Sequence, residues 1–161
     1  MSDERQFGVD LFNEVWRLMD TRAKATLAAP HKGPAGSARW SDLHDDRMLH
    51  AAHASRFHWG EAEECKPENL ARGEWQISRV YAVLGRSEPA IWHARRCLAH
   101  CEQNRIGDWD LAYAYEALAR AHALAGNGET ATWKAKARAA GDAIADPEDR
   151  EHFEEDFGTL P

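Results

Sequence analysis

Residues 70–94, LARGEWQISRVYAVLGRSEPAIWHA, align without a gap on residues 111–135, LAYAYEALARAHALAGNGETATWKA, and no other feature of the chain constrains its fold so strongly. Nine of the 25 columns are identical at a spacing of 41: Leu70/Leu111, Ala71/Ala112, Arg79/Arg120, Ala82/Ala123, Gly85/Gly126, Glu88/Glu129, Ala90/Ala131, Trp92/Trp133 and Ala94/Ala135. A period of roughly 20 to 50 residues marks stacked repeats, in which each unit leaves an apolar face that only its neighbour covers.

Signals around the repeat divide the chain into about seven expected helices. Val9, Phe12, Trp16 and Met19 recur at helical spacing and predict a first helix over residues 5–29. Residues 30–40, PHKGPAGSARW, hold two prolines and two glycines without periodicity and predict a flexible loop, after which Ser41 is placed to cap a second helix over 42–60. Pro67 opens a third helix ending at Leu84, ahead of a left-handed stop at Gly85. Ser87 is expected to cap a fourth over 88–105, and Gly107 and Asp108 repeat the stop and start before a fifth over 109–125. The Gly126–Gly128 turn leads to a sixth over 129–145, and Asp146 with Pro147 opens a short last helix to 157.

No segment alternates valine, isoleucine or threonine as a strand would, so the expected fold class is all-α, built of antiparallel helical hairpins. A single domain over 1–161 is expected, with leading helices at 5–60, repeat one at 67–105, repeat two at 108–145 and an acidic capping helix and tail at 146–161. Leu70, Ile77, Tyr81 and Leu84 share one side of the first repeat helix, matched by Leu111, Leu118, His122 and Ala125 in the next.

Tyr81, the glycine turns at Gly85 and Gly126, the alanines after them at Ala90 and Ala131, and the series Tyr115, Leu118 and Ala119 carry a likeness. In these residues the stretch 67–145 resembles the tetratricopeptide repeat (TPR) family, with a period of 41 against the family's usual 34 or so, no closing proline, and His122 where an aromatic is usual. The third-to-fifth-helix region is also similar to uncharacterised bacterial proteins, which attach no function to it. The resemblance implies a short TPR-like solenoid whose first helices line a concave surface that binds an extended peptide. Opposite the expected core face lie Arg72, Trp75, Gln76, Arg79 and Val83 in one unit, and Tyr113, Glu116, Ala117, Arg120 and Leu124 in the next. Arg79 and Arg120 share a column, and two guanidinium groups one repeat apart suit the carboxylates of an acidic protein or peptide, with Trp75 and Tyr113 packing flanking side chains. The alternative is a solvated face on which Glu116 pairs with one arginine.

Trp92 and Trp133 fall on the side of the second helices away from their own hairpins, either for a contact between copies or under another element. His93, Cys97, His100 and Cys101 share one helical face and offer the imidazole and thiolate that zinc or copper prefers. Against this, Cys97 and Cys101 continue the inward series of Ala90 and Ala94, where cysteine acts as a small hydrophobe. His50 and His53, near His44 and His58, form a second cluster without a recognised zinc spacing, and together these faces define the competing reading of a metal- or small-molecule-binding protein. No motif names a cofactor.

The net charge of −7 sets aside nucleic acid as a partner, and no apolar run approaches the roughly 20 residues of a membrane span. The MSDERQF start lacks signal-peptide character, and three cysteines without paired spacing are expected as thiols, so a cytoplasmic location is expected. No phosphate loop or nucleophile elbow points to an enzyme. From Asp142 to Asp156 eight acids stand against Arg150 alone. Such a segment suits a polar cap, and its charge complements an arginine-bearing face of the same or a second molecule.

Overall fold

The computed structural model describes residues 2–28 and 38–161, and across them the chain is all-α. Seven helices follow one another: α1 (Asp3–Ala28), α2 (Ala38–Glu61), α3 (Pro67–Val83), α4 (Ser87–Asn104), α5 (Asp108–Ala125), α6 (Thr130–Asp142) and α7 (Pro147–Gly158). Packing groups the chain into two compact units, Met1–Glu64 and Cys65–Pro161, with the break in the polar connection before Pro67.

In the first unit α1 and α2 form a hairpin. Val15, Leu18 and Met19 of α1 and Met48, Ala51 and Ala52 of α2 are among its buried apolar side chains, and the Ser55 hydroxyl donates to the Gly8 carbonyl at 2.8 Å. The expected loop lies outside the described residues over 30–37, whereas 38–40 already belong to α2. Ser41 is therefore inside the helix and not its cap. No glycine or proline lies between Ala38 and Ser41 to oppose a helix, so α2 already includes Ala38–Trp40.

In the second unit α3 pairs with α4 and α5 with α6, α4 and α3 both pack on α5, and α7 closes the array against α5 and α6. Gly85 (φ +72) and Gly126 (φ +64) take the left-handed turns expected of them. The stop after α4 is taken by Arg105 (φ 56) and not by Gly107, and Asp108 (φ 53) opens α5 without capping it. The Asp108 carboxylate instead accepts the backbone N–H of Ala145, 3.1 Å away, tying the start of α5 to the link between α6 and α7. Helix α6 ends three residues earlier than expected because Ile144 turns inward, fully buried beside Phe153. Asp146 caps α7 as expected, accepting from the N–H groups of Glu148 and Asp149, with Pro147 in the first turn.

Two apolar clusters hold this unit. Ala71, Ala94, Cys97, Leu98, Cys101, Ala114, Ala117 and Leu118 pack where α3, α4 and α5 meet, with Trp75 and Trp133 laid against them. Ala112, Ala137, Ile144 and Phe153 form the second, under α7. Gly141 makes that seat possible: a Cβ there would lie 2.1 Å from the Phe153 ring. Of the side chains expected inward, Ile77, Leu118 and His122 are buried, but Leu70, Tyr81, Leu84 and Leu111 are half-buried and Ala125 is exposed. The reason is that α3 and α5 have neighbours on more than one side, so a single apolar stripe does not describe them.

Candidate functional site

The repeated arginines come together on one carboxylate of the chain itself. Successive helices α3 and α5 lie side by side, which brings Arg79 and Arg120 to Glu116, a residue of α5 with no exposed surface. Arg79 donates to Glu116 Oε1 at 3.1 Å and to Asp156 of α7 at 2.9 Å. Arg120 donates to the same Glu116 oxygen at 2.7 Å, to the backbone oxygen of Asp156 at 3.0 Å and to the Thr159 hydroxyl at 2.8 Å. Tyr113 completes the network by donating its hydroxyl to Asp156 at 3.2 Å, and burial followed by the Asp156 charge pushes that phenol well above its ordinary range. Both arginine side chains are about five-sixths buried, at 15% and 16% exposure, so each is committed to the fold before any ligand arrives.

The remaining residues of the expected groove are placed as follows. Arg72 makes a bidentate pair with Asp110 at 2.8 and 2.9 Å and lies 4.3 Å over the Trp109 ring. Trp75 packs against the core and meets Tyr113 edge to face at 5.3 Å. Gln76, like Glu116, is fully buried. Residues read as opposite the core thus face the neighbouring repeat, because a first helix packs on the next first helix as well as on its own partner. Val83 and Leu124 stay open to solvent, 38% and 42% exposed. They border an open depression of about 640 Å³ whose walls are Arg79, Ala82, Val83, Arg120, Ala123, Leu124, Thr159 and Pro161. Asp156 and Thr159 are the site residues that a face-by-face reading of the repeats misses. The charge asymmetry of the last segment signals Asp156, whereas nothing in the sequence signals Thr159.

The two tryptophans do not share surroundings. Trp92 is half exposed, capped by Arg96 at 4.7 Å. Trp133 is half-buried in its own repeat, stacked on Tyr115 and His122, with its indole N–H donating to Glu129 at 3.1 Å.

The histidine and cysteine candidates do not converge. Among the described residues no three or more His, Cys, Asp or Glu side chains gather where a metal ion could be held. His50 and His53 are exposed on α2. His93 is buried and bonded to Glu74 at 2.7 Å, His100 is half-buried, and Cys97 and Cys101 lie in the core, where the hydrogen bond that the Cys97 thiol gives to Cys101, together with burial, pushes the Cys97 thiol up. Burial would raise the Glu74 carboxyl, but the bonds and charges of His93 and Arg96 more than offset this and take it down to about 2.

Also among the described residues, no helix is long and apolar enough to cross a membrane. Compared with known proteins, the chain matches no family model, no curated protein and no solved structure.

Proposed function

We propose that the protein is an interaction module that docks a segment of a partner protein on the α3/α5 face, anchoring an apolar side chain in the depression between Val83 and Leu124. The observation that carries this reading is the depression itself, open to solvent, apolar along Ala82, Val83, Ala123 and Leu124, and edged by the guanidinium groups of Arg79 and Arg120. An open groove with an arginine edge suits an extended or helical segment, whereas a small-molecule site would enclose its ligand. The resemblance that the sequence of residues 67–145 bears to TPR repeats points the same way. A partner carboxylate would have to share arginines already held by Glu116 and Asp156, so binding energy comes mainly from the apolar anchor, with the charges orienting it.

Alanine at Arg79 or Arg120 is a poor test of this idea. It would take away one of the two guanidinium groups that hold the buried Glu116 carboxylate, and so lower stability whatever its effect on binding. The better test leaves the core intact. Peptide-library selection on the immobilised protein should enrich a common pattern with an apolar anchor, and Val83→Asp with Leu124→Asp should abolish that enrichment while melting within a few degrees of wild type. Selection that the double variant leaves unchanged would place binding elsewhere or nowhere.

A further inference from the structure

We infer that α7 and the residues after it cover the continuation of the docking surface beyond the open depression as a built-in stand-in, and that the partner is an acidic amphipathic helix carrying the same pattern: two aromatics four residues apart, with an acid just before the second, as in Phe153-Glu154-Glu155-Asp156-Phe157. This rests on the docking reading above and names the chemistry of its partner.

The contacts of α7 read as recognition of a ligand. Its acids meet bases of the rest of the unit: Asp156 pairs with Arg79, Glu154 pairs with Arg138, and Lys134 reaches the backbone oxygens of Leu160 and Pro161, the latter at 2.9 Å. Phe153 is its one buried anchor, inserted against Ala112, Ala137 and Ile144 in a seat kept open by Gly141. Phe157 packs at the rim of the same cluster, under the guanidinium of Arg138 at 4.1 Å. One aromatic in a pocket of small residues with a charged rim is the anatomy of an interface hot spot.

The attachment is also slight for a structural element. Only Phe153 among the twelve helical residues, and Leu160 beyond them, are buried, and a helix of that length is marginal without its packing. Thr159 and Pro161 form one wall of the depression, so release of the segment would join the seat of Phe153, the Tyr113 hydroxyl and the depression into one continuous groove along α5. What could replace α7 is set by what it leaves behind. Arg79, without Asp156, demands an acid. The apolar seat at Gly141 demands an aromatic, and the spacing between them demands a helix.

Tethering gives α7 an effective concentration on the order of millimolar, so an untethered helix of equal quality competes poorly against it. The test uses a fluorescent peptide of residues 146–161 and the full-length chain in three forms: wild type, Phe153→Ala and Asp156→Lys. Each variant loosens the built-in segment at a different contact, and Asp156→Lys leaves the apolar anchor in place, so a folding failure of the first does not end the experiment. Anisotropy should show at least tenfold tighter binding by a folded variant than by wild type, and a peptide bearing Phe153→Ala or a scramble of equal charge should lose that gain. Folded variants that bind no better overturn the inference, as does a scramble that binds equally well, since simple charge attraction would then explain it. Wild-type dimers that exchange α7 would show a second copy as the occupant and overturn the assignment to a separate partner. Failure of the peptide with success of the library selection removes α7 as the template and leaves the docking surface standing; failure of both removes the surface.

Discussion

Helices α4 and α6 are second helices of the same repeat, align at a spacing of 41, and bury different columns. In α4 the buried positions are Ala90, His93, Ala94, Cys97, Leu98 and Cys101. The identical residues Ala131 and Ala135 are exposed in α6, where Ala137 and Gly141 are buried and Thr130, Trp133, Lys134 and Arg138 are half-buried. The α6 set is the α4 set moved by 40 residues, not 41. One residue is about 100° of helical rotation, so the sequence alignment places the right helices and the wrong faces. The ring stacks give the same register: His93 stacks on Tyr81 in repeat one, and Trp133 stacks on His122 in repeat two. Trp133 thus stands where His93 stands, and Trp92 has no structural counterpart in it.

The largest effect should come from exchanging residues at position 97. By the 40-residue register Cys97 corresponds to Ala137, and by the sequence alignment to Arg138, which is partly exposed and pairs with Asp142 and Glu154. Cys97→Ala should cost about 1–2 kcal/mol, the loss of a small buried side chain. Cys97→Arg should cost about 4 kcal/mol or more, because a guanidinium would enter the cluster of Ala94, Leu98, Ala114 and Leu118 without a partner. Chemical denaturation of the two variants checks this, and equal midpoints would remove the register argument.

A smaller difference is expected between the tryptophans. Trp133→Ala removes a half-buried ring from a stack with Tyr115 and His122 and should cost about 2–3 kcal/mol. Trp92→Ala removes an exposed ring held by Arg96 and His93 and should cost about 1 kcal/mol or less. Thermal melts that rank the two in the opposite order would show the 41-residue columns to be the structural ones.

How much of this was legible before the structure depends on the range of the signal. Local signals worked: Asp146 and Pro147 open α7, and Gly85 and Gly126 close α3 and α5 where the turn residues say they should. Ser41 misleads because a good capping residue caps only where the helix has not yet begun, and nothing in Ala38, Arg39 and Trp40 before it opposes a helix. The Arg79/Arg120 column stood out as unnecessary for a hairpin, and both residues do edge the candidate site. Their partner Asp156 lies 77 and 36 residues along the chain, a distance at which charge complementarity suggests a contact but no periodicity assigns it. Gln76 and Glu116 went astray for a different reason. A wheel divides a helix into one inner and one outer face, and a first helix flanked by its own partner and by the next repeat has two inner ones.

A third expected difference separates the repeats by pH. Glu74 in α3 is nearly buried and accepts from His93 at 2.7 Å and Arg96 at 3.1 Å, whereas its column in α5 holds Tyr115, whose ring packs on Trp133. Because the Glu74 carboxyl sits at about 2 when folded, against 4.5 for an ordinary glutamate, the unfolded chain binds its proton first as acid is added. Its contribution is fully present above pH about 4.5 and disappears as pH falls through about 2. Glu74→Gln removes that contribution, so wild type should melt higher than the variant at pH 6 and the gap should close steadily between pH 4.5 and 2. The corresponding Tyr115→Phe change in repeat two should shift the melt by the same amount at every pH in that range. A Glu74→Gln gap that ignores pH would mean the carboxylate gains nothing from its charge, and the two hairpins would then differ in packing alone.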